Sequence, residues 1–110
     1  MSDTFPDAIR KLPEASLTIQ GARAYLSQAP THQILFMEFA EDADIPAHAH
    51  AAQFGIVLEG KIELTISGDT RTYAKGERYS IPAGAEHSAK IYAGYADVTF
   101  FDEAGRYRAK

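Results

Sequence analysis

The sequence predicts an all-β fold, an antiparallel barrel or sandwich of short strands, on three observations. Apolar and polar residues alternate with a period of two in several windows, helical periodicity is poor almost everywhere, and turn residues punctuate the windows at regular intervals.

The first segment differs from the rest. Pro6 to Leu12 reads as one helical turn closed by Pro13, or as an arm laid on the barrel, with Phe5, Ile9 and Leu12 as its apolar contacts. Strands are expected at 34–39, 47–51, 54–58, 78–81, 88–92 and 97–101. The clearest alternation is Ile62-Glu63-Leu64-Thr65-Ile66-Ser67, followed by Gly68-Asp69 and Thr70 to Tyr73. It predicts a hairpin with a two-residue loop, since Gly tolerates the positive φ such loops need. Asp44-Ile45-Pro46, Glu59-Gly60, Lys75-Gly76, Pro82-Ala83-Gly84 and Ala93-Gly94 are read as the intervening turns.

Composition narrows the function. With 110 residues, a single domain spanning 1–110 is expected, with residues 1–20 as an N-terminal arm. The absence of cysteine excludes disulfides, thiolate metal sites and cysteine nucleophiles. A formal net charge of −4 argues against nucleic acid as a partner. Arg106, Arg108 and Lys110 form the densest basic stretch and read as a solvated tail. No run approaches the roughly 18 apolar residues of a membrane span, and MSDTFPDAIRK lacks the layout of a signal peptide, so a soluble cytoplasmic protein is expected.

Three of the four histidines carry the chemistry. His48 and His50 form an HxH pair, which converges on one ion only if the segment is extended, because residues i and i+2 then share a face. His87 follows the sharp Pro82–Gly84 turn, which re-aims the chain and lets a distant residue supply a third ligand. Neutral imidazole is the commonest metal ligand.

HAHAAQFGIVLEG and GERYSIPAGAEH together resemble the two consensus motifs of the cupin superfamily, small single-domain barrels of jelly-roll type. His48, His50 and Gly60 match the first motif, within about 44–60. Gly76, Pro82, Gly84 and His87 match the second, within about 76–91. The resemblance implies a divalent transition metal (Fe, Ni, Zn, Cu or Mn) held by His48, His50 and His87, a small-molecule substrate, and a homodimer.

Two departures matter. The gap after His50 is short, and Gln53 stands where the family usually has a Glu ligand. Gln53 is then either a weak fourth ligand through its carbonyl oxygen or a hydrogen-bonding neighbour of a ligand, and it cannot act as a general base. Four neutral groups leave the ion its full charge, which favours an anionic, oxygen-rich chelating substrate.

These features support a metal-dependent enzyme of dioxygenase, isomerase or lyase type. The alternative is a non-catalytic binding or sensor protein, because no general acid or base is evident near the motifs. Strand parity places Gly55, Val57 and Ala89 in the pocket. Glu38 and Asp97 are expected to face solvent, His32 to lie at the surface, and most of the aromatics to fill the core.

Overall fold

Turn glycines and alternation shape most of the chain as expected. The computed structural model describes residues 4–110, so the first three residues of the expected arm lie outside the described residues. Among the described residues the strands are β1 (Ala22–Gln28), β2 (Gln33–Phe39), β3 (Ala43–His48), β4 (Gln53–Glu59), β5 (Lys61–Ile66), β6 (Asp69–Ala74), β7 (Arg78–Ile81), β8 (His87–Ile91) and β9 (Ala96–Phe101). They assort into a five-stranded sheet, β1-β2-β9-β4-β7, and a four-stranded sheet, β3-β8-β5-β6. All pairings are antiparallel. The inward faces enclose one core that includes Leu26, Leu35, Met37, Phe39, Val57, Leu64, Ile91 and Phe101. The fold is all-β and of jelly-roll type.

Several elements differ from the expectation. β1 was not expected, because Ala24, Tyr25 and Leu26 are buried in succession and the strand shows no alternation. Both of its faces are covered: Ala24 and Leu26 meet the core, while Tyr25 meets the arm through the Phe5 ring at 6.0 Å. The hairpin loop is Ser67-Gly68, one residue earlier than read, with φ of 48° and 84°, and Ile66 pairs with Asp69. Positive φ at both loop residues matches the twist of the flanking strands.

Asp44-Ile45-Pro46 is strand, not turn. β3 lies at the edge of its sheet, where a proline without an N–H is tolerated, and the register shifts between Ile45 and His48. The N-terminal segment forms helix α1 (Asp7–Arg10). Phe5, Ile9 and Leu12 pack with Tyr25, Phe36, Leu58 and Ala96, so the arm covers part of the outer face of its own five-stranded sheet.

Candidate metal centre

The extended HxH pair does not lie on one strand. His48 is the last residue of β3, and His50 sits in the connection that follows. The bulge at the end of β3 still turns both rings inward, and His48 pairs across the sheet with His87, the first residue of β8. The two motifs are tied together by the backbone, since Gly84 N–H donates to the His50 carbonyl at 2.9 Å. Gly84 has φ of 76°, a conformation that glycine reaches without strain.

The ligating atoms of His48, His50 and His87 lie within 4.8 Å of one another, so these three could hold a metal ion. Their hydrogen bonds define which nitrogen is available. Nδ1 of His48 lies 2.8 Å from the Pro46 carbonyl, Nδ1 of His50 lies 2.7 Å from that of Ala51, and Nδ1 of His87 lies 2.9 Å from that of Ala85. A carbonyl only accepts, so each Nδ1 carries the proton and each Nε2 of the neutral ring presents a lone pair. Nε2 of His50 and Nε2 of His87 are 3.1 Å apart. Two nitrogens bound at about 2.1 Å to one ion, at right angles or tetrahedrally, would be about 3.0 to 3.4 Å apart. The donor set therefore fits a divalent transition ion.

A shared proton is the competing way to satisfy two facing lone pairs, and the surroundings oppose it. Burial lowers the pKa of His50 and of His87 below the usual imidazole value, and the positive charge of Arg106 lowers both further.

Gln53, the first residue of β4, lines the same cavity, paired between Ile81 of β7 and Phe101 of β9. Its Nε2 donates to Thr99 Oγ1 at 3.1 Å and, at the long limit of 3.5 Å, to the Tyr79 hydroxyl. Ala89 lines the cavity as expected, but Gly55 and Val57 do not. The space above Gly55 is filled by the Tyr79 ring, which a Cβ on residue 55 would overlap. Val57 is packed in the core.

The cavity, about 360 Å³, has apolar walls that include Ile45, Leu64, Ile81 and Phe101. That size suits a small metabolite. Two of its lining residues, Asp97 and Arg106, overturn sequence expectations. Asp97 is 2% exposed rather than solvent-facing, and its Oδ2 accepts from Tyr79 at 2.9 Å and Tyr95 at 2.5 Å. Its Oδ1 is buried with no partner. Burial pushes this carboxyl up to about 6, although the two tyrosine hydrogen bonds pull the other way. Glu38, also expected outside, is largely buried at the end of β2.

Arg106 is not part of a solvated tail. Gln33, fully buried, holds the backbone of Tyr107 at both ends: its Nε2 donates to the Tyr107 carbonyl at 2.8 Å, and its Oε1 accepts from the Tyr107 N–H at 3.0 Å. The Tyr107 ring packs edge-on against Phe101, and Ser16 N–H donates to the Arg108 carbonyl at 2.7 Å. These anchors set the Arg106 side chain into the cavity wall, with its Nε buried and unpaired. His32 is half-exposed and stacks on Phe100 at 4.9 Å, well outside the site.

Comparison with known proteins agrees with this architecture. Residues 35–102 match the cupin domain, and the chain belongs to that family. Among solved structures it is similar to an RmlC-like cupin from Shewanella frigidimarina, with 20% identity, 86% of each chain covered and a TM-score of 0.74. It is also similar to KdgF from Halomonas sp., with 19% identity over 83% of this chain and 87% of that one and a TM-score of 0.70. A variant of Bacillus subtilis oxalate decarboxylase aligns with 87% of this chain but only 28% of its own, at 16% identity and a TM-score of 0.73. At these identities the likeness is one of fold. A search of the curated proteins finds no significant match.

Proposed function

We propose that this chain is a metal-dependent cupin enzyme, of dioxygenase, isomerase or lyase type, acting on a small anionic, oxygen-rich metabolite. His48, His50 and His87 would hold the ion, with Gln53 as a fourth, neutral ligand. The observation that carries the reading is that Arg106, with an unpaired Nε, shares one cavity with three inward Nε2 lone pairs. When bound, a divalent ion would supply Lewis-acid or redox chemistry. Arg106 binds the anionic end of the substrate, and the apolar walls exclude water and so strengthen that attraction. One structural neighbour is named for the decarboxylation of oxalate, a small dianion of the class proposed for this cavity, although shared fold alone does not transfer an activity.

The test is elemental analysis of protein purified without chelators, followed by assays of dioxygen uptake and turnover with β-diketones, catechols and 2-oxo acids. One transition ion per chain with turnover supports the enzyme. A ligand that comes off unchanged supports the second reading, a non-catalytic binder. That reading draws on Asp97: it is the one acid lining the cavity among the described residues, and two tyrosines already hold it.

We further propose a cytoplasmic homodimer. The outer face of the five-stranded sheet exposes Phe54, Ile56 and Phe100 at 37–40%, beside the part covered by the arm. The lack of cysteine is in keeping with a reducing compartment. No helix among the described residues is long and apolar enough to cross a membrane. Sedimentation of the wild type and of Phe100→Glu tests the dimer, which the charge should dissociate.

A further inference from the structure

The orientation of Gln53, like that of the three histidines, has to be fixed by its neighbours, because an amide can present either its oxygen or its nitrogen to an ion, and only the oxygen ligates. Its neighbours resolve the ambiguity. Tyr79 and Tyr95 converge on a single oxygen of Asp97, Oδ2, at 2.9 and 2.5 Å. As a carboxylate Asp97 has no proton to give, so its Oδ2 accepts from both hydroxyls and the Tyr79 proton is committed to Asp97. What the Tyr79 oxygen has left is a lone pair, and it lies 3.5 Å from the Gln53 amide nitrogen.

Thr99 repeats the logic independently. Its Oγ1 donates to the Phe54 carbonyl at 3.3 Å, which leaves a lone pair toward Gln53 Nε2 at 3.1 Å. Both neighbours of the amide are therefore acceptors, and both demand N–H. Among the described residues no hydrogen bond holds Gln53 Oε1, so the oxygen is the atom left free to face the cavity.

We infer that Asp97, Tyr79 and Thr99 form a polarity relay that fixes the amide of Gln53 with its nitrogen toward the sheet and its carbonyl oxygen toward the three histidines. Asp97 sets the hydroxyl of Tyr79, and Tyr79 with Thr99 sets the amide; all three are positioning residues that never touch the ion. Gly55 makes the arrangement possible, because the Tyr79 ring occupies the place where its Cβ would stand. The relay also accounts for Gln in place of Glu at residue 53. A carboxylate there would face two lone pairs and no donor, unless the hydroxyls abandoned Asp97 and the Phe54 carbonyl. The inference rests on the proposed ligation by Gln53.

The experiment uses the full chain loaded with Co²⁺, whose visible d–d band reports ligand type and number, together with Co²⁺ affinity by titration. Five variants are compared with the wild type: Gln53→Ala, Tyr79→Phe, Thr99→Val, the double Tyr79→Phe/Thr99→Val and the conservative Thr99→Ser. Thermal unfolding of each metal-free protein serves as the control for folding. The relay requires that Gln53→Ala and the double variant shift the band alike and weaken Co²⁺ binding by about tenfold or more, the usual scale for losing a group that orients a ligand. Tyr79→Phe and Thr99→Val should each fall between, and Thr99→Ser, which keeps the hydroxyl, should restore the wild-type band.

If Gln53→Ala changes the band while the relay variants leave it untouched, Gln53 ligates without the relay and the inference is overturned. If Gln53→Ala changes neither band nor affinity, the ligation itself fails and the inference fails with it. Should the double variant not fold, the two single variants and the Thr99→Ser rescue carry the same decision.

Discussion

Nε2 of His50 faces Nε2 of His87 at 3.1 Å, while the Nδ1 atoms of both rings are bound to backbone carbonyls. In the metal-free protein this is a repulsive contact between lone pairs, and an ion bound between them would replace that repulsion with two coordinate bonds. Metal should therefore stabilise the fold markedly. At an ion concentration a hundredfold above the dissociation constant, linkage alone adds about 2.7 kcal/mol. His87→Ala should lose nearly all bound metal and with it the rise in Tm on adding Zn²⁺ or Ni²⁺. The metal-free variant should unfold close to the metal-free wild type, because the lost packing is offset by the removed repulsion. Calorimetry of both proteins with and without metal checks this, and an equal metal-induced rise in the variant rules the triad out.

Asp97 and the histidines give the metal-free protein two opposing pH dependences. The Asp97 carboxyl is raised to about 6 from 3.8, chiefly by burial, so the folded state holds its proton more tightly than the unfolded chain. Its contribution to stability is complete below pH 3.8 and is lost as pH rises through about 6, a change of about 3 kcal/mol for a fully buried group. His50 and His87 are lowered by burial, so their contribution is present above the ordinary imidazole pKa and is lost as pH falls through the folded values. Asp97→Asn should remove the first dependence alone. Urea midpoints measured from pH 4 to pH 7 should show the variant gaining on the wild type as pH rises. Parallel profiles would mean that Asp97 does not titrate in this range.

Under the proposed function, Arg106 would provide the charge that selects an anion. In zinc-loaded protein, Arg106→Ala should weaken binding of a small dicarboxylate such as malonate by about 1.5 to 3 kcal/mol, roughly ten- to a hundredfold, the range for a hydrogen bond to a charged group. Arg106→Lys should recover part of that, because a lysine restores charge without the planar fork. Zinc affinity itself should not fall in either variant, since removing a nearby cation eases metal binding. Titration calorimetry with metal and then with malonate separates the two effects. Unchanged malonate affinity in Arg106→Ala would remove the side chain from the substrate site.

How much of this was readable in the sequence depends on whether the signal was local. Ile62 to Ser67 alternates because one face of β5 meets the core, and the hairpin follows from it with an error of one residue. The histidines were legible because HxH and PxGxxH are short patterns held by turns. Tyr25 hid β1, since its burial comes from an arm that only the folded chain brings there. Asp97 stood in ADVTFF at the same parity as Phe101, a core residue, and that parity was a usable sign that the acid points inward. Arg106 had no such sign. Its place is set by Gln33, far away in sequence, gripping the Tyr107 backbone, and no local pattern encodes that grip.

Gly55 lets the Tyr79 ring seat against the backbone of β4. A mid-strand glycine costs conformational entropy and buries no side chain, so its presence in β4 requires a reason. The reason is the Tyr79 ring, whose outer atoms occupy the position of a Cβ. Gly55→Ala should force that ring aside, break its hydrogen bond to Asp97 and destabilise the protein by about 1 to 3 kcal/mol, as overpacking of a tight core does. If the clash is the cause, it must disappear when the ring does. In the Tyr79→Ala background, Gly55→Ala should cost nothing or stabilise slightly, since alanine then restricts the unfolded chain without meeting an obstacle. A double-mutant cycle from urea unfolding gives the coupling directly, and a value near zero would mean that the glycine serves the backbone of β4 and not the ring above it.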